Sequence, residues 1–149
     1  HWDPRLIAEG LTLLERSATG DTLSAYHIEA GIAAMHSSAP SLEETDWPSI
    51  VSLYDRLMAI APSPVVALNR AVAIGQRDGV EEGIDELHAI AGRERLSAYL
   101  FYPAALGELE LRRGNGGAAR EHFKTALSLA RNATERRFLE KRLESCALP

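Results

Sequence analysis

The side chains able to do chemistry are scattered along this chain. Five histidines, His1, His27, His36, His88 and His122, are spread over 149 residues. A zinc site needs ligands that one element presents together, such as two histidines one helical turn apart around a glutamate. The nearest approach is Asp85 with His88, an i, i+3 pair that supplies two ligands at most. Glu81-Glu82 and Asp85-Glu86 gather carboxylates that could in principle serve as general acids or bases. They fall on the polar side of an amphipathic stretch, where carboxylates are ordinarily solvated. There is no glycine-rich phosphate loop, nucleophile elbow or paired-cysteine motif. Cys146 stands alone, which rules out an internal disulfide, fits a reducing cytoplasm and reads as an ordinary thiol at a frayed end. The expectation is a protein that is not an enzyme, with no catalytic residues, no metal and no cofactor.

Residues suited to holding another protein are easier to find. Tyr26, His27, His36, Trp47, Tyr54, Asn69 and Arg70 interrupt otherwise apolar helical stretches. Aromatic and arginine side chains concentrate binding energy at interfaces, and an asparagine amide can both donate to and accept from a peptide backbone. Tyr26, His27, Trp47, Asn69 and Arg70 are therefore the candidate protein-binding residues. The same residues have a structural alternative, with Trp47 and Tyr54 as packing anchors and Asn69 as a tie between helices. A deep pocket around His27, His36 and Trp47 would instead favour a small ligand.

The elements that must position them are helices. Leu6, Ile7, Leu11 and Leu14 make one apolar stripe from Pro4 to about Arg16, and Leu23, His27, Ala30, Gly31 and Ala34 make a second after the Thr19-Gly20-Asp21 turn. A polar, proline-containing loop covers Ser37 to Glu44. Asp46 can then cap a helix carrying Pro48 in its first turn and Ile50, Leu53, Tyr54 and Leu57 on its buried side. Ser63-Pro64 opens a fourth helix through Val66, Leu68, Ala71 and Ile74, stopped by Gly79. Ile84, Leu87 and Ile90 mark a fifth, ended by Gly92. Leu96 to Arg113 forms a sixth, with Pro103 near its first turn or at a kink, and Ala118 to Ala130 a seventh. Asn132 with Glu135 suggests a capping box for an eighth, with Phe138, Leu139 and Leu143 apolar. No alternating strand pattern and no domain boundary appears, so the expectation is all-α, about eight helices in one domain over residues 1–149.

Three stretches share one small pattern. Ile50, Gly83 and Ala119 correspond, each followed after four residues by Tyr54, Leu87 or Phe123 and after three more by Leu57, Ile90 or Ala126. The offsets, 33 and then 36 residues, are close to the roughly 34-residue period of tetratricopeptide helix-turn-helix units. A small residue allows close helix approach, and a large one a turn later fills the gap. Ala71 precedes Gly83 by 12 residues, as Gly107 precedes Ala119. The architecture expected is antiparallel hairpins stacked as a right-handed superhelix, with the first helix of each pair lining the concave side. Gly31 and Gly83 are expected to loosen their helices slightly.

Composition narrows the function classes. There is no apolar run of about 18 residues that would cross a membrane. The net charge of −5 divides unevenly: residues 1–105 carry 15 acidic and 7 basic side chains, net −8, and residues 106–149 carry 6 and 9, net +3. An acidic surface repels nucleic acid, so no direct DNA contact is expected. Arg112, Arg113, Arg120, Lys124, Arg136, Arg137, Lys141 and Arg142 can meet an acidic partner or form an ordinary solvated, ion-paired helix face.

Word for word, several segments go further. Trp2-Asp3 with Leu6-Ile7-Ala8-Glu9-Gly10, then Tyr26-His27-Ile28-Glu29-Ala30-Gly31-Ile32-Ala33-Ala34, stand at the front. Thr45-Asp46-Trp47 and the run Pro62-Ser63-Pro64-Val65-Val66-Ala67-Leu68-Asn69-Arg70-Ala71-Val72-Ala73 follow, and Asn132-Ala133-Thr134-Glu135-Arg136-Arg137-Phe138-Leu139 comes near the end. Together they resemble the C-terminal, tetratricopeptide-like extension of a class of bacterial extracytoplasmic-function sigma factors, over essentially the whole chain. The resemblance implies a cytoplasmic regulatory or protein-interaction region of a transcription initiation factor. Its partners would be the upstream sigma-factor regions of the same chain, core RNA polymerase, or both, and the promoter-reading helices would lie upstream. The alternative is a free-standing tetratricopeptide scaffold gripping a peptide of an unrelated protein.

Overall fold

In the computed structural model, residues 45–146 are described. The two helices expected over Pro4 to Arg16 and Leu23 to Ala34, the loop after them, and the candidates Tyr26 and His27 lie outside the described residues. Among the described residues there are six α-helices, one short 3-10 turn and no strand, so this part of the chain is all-α. Two compact units divide the chain, His1–Ala73 and Ile74–Pro149.

Local chemistry sets the helix starts. The Asp46 carboxylate accepts from the Ser49 amide at 3.2 Å and the Ser49 hydroxyl at 2.6 Å, satisfying an amide that has no partner within the helix. Helix α1, Trp47–Ile60, follows with a proline in its first turn. The Ser63 hydroxyl accepts from the Val66 amide at 3.1 Å and starts α2, Pro64–Asp78. In the first unit α1 buries Ile50, Val51, Leu53 and Leu57, while α2 buries Leu68, Ala71 and Ala73. Tyr54, expected beside them, is half-buried.

The second unit continues with α3, Val80–His88, a 3-10 turn at Arg93–Leu96, then α4, Phe101–Arg112, α5, Gly116–Ser128, and α6, Ala133–Ser145. The sixth expected helix does not begin at Leu96. Pro103 lacks an amide proton and its ring would clash with a carbonyl of the preceding turn, so the helix restarts at Phe101 and keeps Pro103 in its first turn. Gly92, with a left-handed φ of 76°, opens the preceding 3-10 turn. Leu96 and Leu100 on either side of the break are buried. The Asn115 side chain caps α5 through the Ala118 amide at 3.2 Å, and Asn132 caps α6 through the Glu135 amide at 2.8 Å. Glu135 does not close a capping box; its carboxylate takes the Arg131 amide at 2.9 Å and the Arg131 guanidinium at 2.7 Å.

Packing in this unit centres on missing side chains. A Cβ added to Gly107 would lie 2.9 Å from Cε1 and Cζ of Phe123, so the ring occupies the space that a side chain on α4 would need. Phe123 is fully buried and shares a core with Leu100, Ala104, Ala119, Ala126, Leu139 and Cys146. Cys146 is thus no frayed-end thiol; its Sγ donates to the Arg142 carbonyl at 3.4 Å, and burial pushes the thiol above its usual pKa. Phe138, expected on the apolar side of α6, instead faces solvent while Leu139 takes the core. Gly83 marks a second close approach. Its Cβ would meet Gly75 Cα at 2.8 Å and Leu109 Cδ1 at 3.0 Å. It allows backbone contact with Gly75.

Truncating Phe123 to alanine should cost about 3–5 kcal/mol in urea-induced unfolding, because Gly107 cannot fill the space left behind. Gly107→Ala should cost about 1–3 kcal/mol by overpacking against the same ring. A Phe123→Ala loss below about 1 kcal/mol would refute this packing.

Candidate protein-interaction surface

Three of the five candidate binding residues are described. Asn69 is exposed on α2 and makes no hydrogen bond among the described residues, so it does not tie two helices together. Its amide is open to an incoming backbone. Next to it, the Arg70 Nε lies 2.6 Å from the Asp55 carboxylate of α1, so this guanidinium already holds the hairpin. Both partners are partly exposed, and such a pair is worth about 0–1 kcal/mol. Trp47 is half-buried at the first position of α1. Eight residues separate it from Asp55, about 12 Å along the helix axis. Asn69 and Arg70 therefore form one locus, and Trp47 another.

The second unit contains a charge cluster that sequence reading did not single out. Glu110 is buried at 7% exposure, and a buried carboxylate is tolerated only with a counter-ion that also satisfies its lone pairs. Arg113, one turn on, supplies it: Nε and Nη2 donate to the two Glu110 oxygens at 2.9 and 2.8 Å. The remaining donor, Nη1, reaches both oxygens of Glu81 on α3 at 3.0 and 3.1 Å. Donating hydrogen bonds to Glu81, then to Glu110, raises the Arg113 pKa above its ordinary value. One guanidinium thus clamps the end of α4 to the start of α3. The i, i+3 spacing of Glu110 and Arg113 was visible in the sequence, but the burial of Glu110 and the reach to Glu81 were not.

A second long-range pair joins α4 to α6. Arg142 donates through Nε and Nη2 to Glu108 at 2.6 and 2.7 Å, and its guanidinium carbon sits 5.9 Å from the Phe123 ring centroid, within cation–π range. Of the eight basic residues noted above, Arg113, Lys124 and Arg142 are ion-paired. Arg112, Arg120, Arg136, Arg137 and Lys141 are exposed and form no ion pair among the described residues. The basic end is therefore neither wholly self-neutralised nor wholly free. Lys124 pairs with Glu121 within α5 at 3.4 Å, and both are well exposed.

His122 is half-buried on α5. Burial lowers its pKa below 6.5, Glu110 raises it by a smaller amount, and His88 adds a further lowering. Asp85 and His88 are exposed on α3. Among the described residues no group of three or more His, Cys, Asp or Glu side chains is arranged to hold a metal ion, and no helix is long and apolar enough to cross a membrane. What this surface offers chemically is hydrogen bonding, charge and exposed aromatic area.

An uncharacterized protein of Rhizobium meliloti (strain 1021) is 37% identical to this chain over 146 residues, covering 98% of the chain. The chain spans 34% of that relative's length. No protein-family model matches the chain, and no solved structure matches it.

The lowered His122 pKa carries a sign. Above about pH 6.5 the imidazole is neutral in both folded and unfolded chains. As pH falls below that value the unfolded chain takes up a proton that the folded one resists, so stability falls until the lower folded pKa is passed. Thermal melts of the wild type should therefore lose stability as pH falls below about 6.5, and His122→Gln should flatten that decline. An unchanged pH profile in the variant would show that His122 is not its source.

Proposed function

We propose that this chain is the C-terminal regulatory, protein-interaction region of an extracytoplasmic-function type sigma factor, the parent acting with RNA polymerase in transcription initiation. The observation that carries the reading is the run Pro62 to Ala73, the most specific part of the resemblance. Supporting it, Ser63 and Pro64 of that run serve as the cap and opening of α2, and its Asn69 is turned to solvent. The all-helical architecture and the Gly107–Phe123 contact suit antiparallel tetratricopeptide-like pairs winding as a right-handed superhelix. The region acts in the cytoplasm without catalysis, by contacting upstream sigma-factor segments or core polymerase rather than DNA. The coverage of only 34% of its relative is in keeping with a region of a longer protein. The second reading is a free-standing scaffold for a peptide of another partner, favoured by the open amide of Asn69.

Two experiments test this. In the longer protein, Asn69→Ala should leave helical content and melting temperature nearly unchanged yet alter promoter-dependent transcription, and deleting residues 1–149 should alter it at least as much. Transcription that survives both changes, with polymerase still co-purifying, would leave only the scaffold reading. Separately, the chain titrated against a promoter duplex at physiological salt should show only weak, sequence-blind binding, near 10⁻⁴ M on an order-of-magnitude scale. Base-dependent binding at nanomolar concentration would overturn the DNA-independent role.

A further inference from the structure

A short link joins α4 to α5, and it holds the one Asn-Gly pair of the chain, Asn115-Gly116. Asparagine before glycine is the pairing most open to attack by its own backbone, because glycine has no β-carbon to shield its nitrogen from the preceding side chain. Asn115 is exposed. Gly116 is the first residue of α5, and its amide has no acceptor among the described residues, as expected of an N–H in a first helical turn. On the other side, Gly114 holds a left-handed φ of 88°, and a β-carbon there would meet nothing within 4 Å. The link therefore has room to move. The other two asparagines differ. Asn69 lies within α2 ahead of Arg70, and Asn132 is followed by Ala133, whose β-carbon crowds the nitrogen.

Asp78-Gly79 is the nearest chemical counterpart, since aspartate before glycine cyclises by the same route when its carboxyl is protonated. Both of its reacting groups are engaged. The Arg77 guanidinium donates to the two Asp78 oxygens at 2.8 and 2.7 Å, and this hydrogen bonding holds the carboxyl below its ordinary pKa. The Gly79 amide donates to the Gly75 carbonyl at 3.1 Å. Asn115-Gly116 has neither protection. We propose that Asn115 is a self-modification site, which deamidates through a succinimide at a rate set by opening of the α5 cap. The Gly116 nitrogen gives up its proton to solvent base and bonds to the side-chain carbonyl carbon of Asn115. The carbon–nitrogen bond of the side-chain amide breaks, and ammonia leaves with a proton taken from water. Water then opens the imide at either carbonyl, giving aspartate or isoaspartate with no change of oxidation state. In the folded chain ψ at Asn115 is 73°, and the side-chain oxygen accepts from the Ala118 amide at 3.2 Å. That ψ directs the Gly116 nitrogen away from the side chain, so the cap must open before the ring closes. The two products act in opposite directions. Aspartate keeps a capping oxygen and places a negative charge at the helix N-terminus. Isoaspartate carries the main chain through the β-carbon, which breaks the Ala118 bond and displaces the carbonyl that accepts from the Ala119 amide at 3.0 Å. Ala119 belongs to the core around Phe123, so this product loosens the start of α5. The proposal does not rest on the function proposed above.

The test incubates the folded chain in mildly alkaline buffer and follows its tryptic peptides by mass spectrometry. Asn115 falls in the peptide 114–120, apart from Asn69, Asp78 and Asn132. This peptide should gain the mass of an amide-to-acid exchange and split into two chromatographic forms. Peptides carrying Asn69 and Asn132 should stay unchanged, and the Asp78 peptide should remain a single form. Gly116→Ala, at a position whose φ is not positive, should slow the conversion about tenfold. Unfolding in urea should speed it about tenfold and let the Asp78 peptide split as well. Asn115→Asp should keep the wild-type circular dichroism and melting temperature, whereas the isolated isoaspartyl form should melt lower. Three outcomes overturn the proposal: Asn115 stays intact in the folded chain until the urea-unfolded chain has converted fully; Gly116→Ala reacts at the wild-type rate; or urea leaves the rate unchanged, which would remove the cap from control.

Discussion

The second unit depends on the seating of Phe123 over Gly107. The ring takes the volume that any side chain at Gly107 would need, which lets α4 and α5 approach closely enough to bury Ala104, Ala119 and Ala126 between them. Small residues bring little apolar area of their own, so their burial is useful only if a large group fills what remains. Phe123 is that group, and it also presents its ring to the Arg142 guanidinium. One aromatic side chain thus couples three helices.

Charge then holds what packing has brought together. The buried Glu110 requires Arg113, and Arg113 in turn reaches Glu81, so satisfying one carboxylate orients α3 against α4. Arg142 does the same between α6 and α4 through Glu108. Four of the nine cations in residues 106–149, Arg113, Lys124, Arg131 and Arg142, are occupied by ion pairs inside the unit. A formal count of +3 over residues 106–149 describes that surface less well than the list of cations without partners.

Much of the fold was legible in the sequence. Asp46, Ser63 and Asn132 signalled helix starts because a capping side chain acts on an amide only three residues away. The recurring pattern placed Leu87, Phe123 and Ala126 inside because helical periodicity is itself a local property. The start of α4 was missed by five residues, since Leu96 and Leu100 keep apolar spacing across a break that Pro103 imposes. Of the candidate binding residues, Asn69 proved open, Arg70 proved engaged by Asp55, and Trp47 proved to be separate from both.

What the sequence determined by itself was helix content, capping and which residues seek burial, because each depends on neighbours within about a turn. Tertiary structure alone decided that Phe138 faces water while Leu139 is buried, that Gly83 meets Gly75, and which arginines remain unpaired. Those outcomes depend on side chains brought together from distant positions, such as Glu108 and Arg142, whose 34-residue separation leaves no local trace. Helical periodicity says that a residue lies on a face; only the packed neighbour decides whether that face is covered.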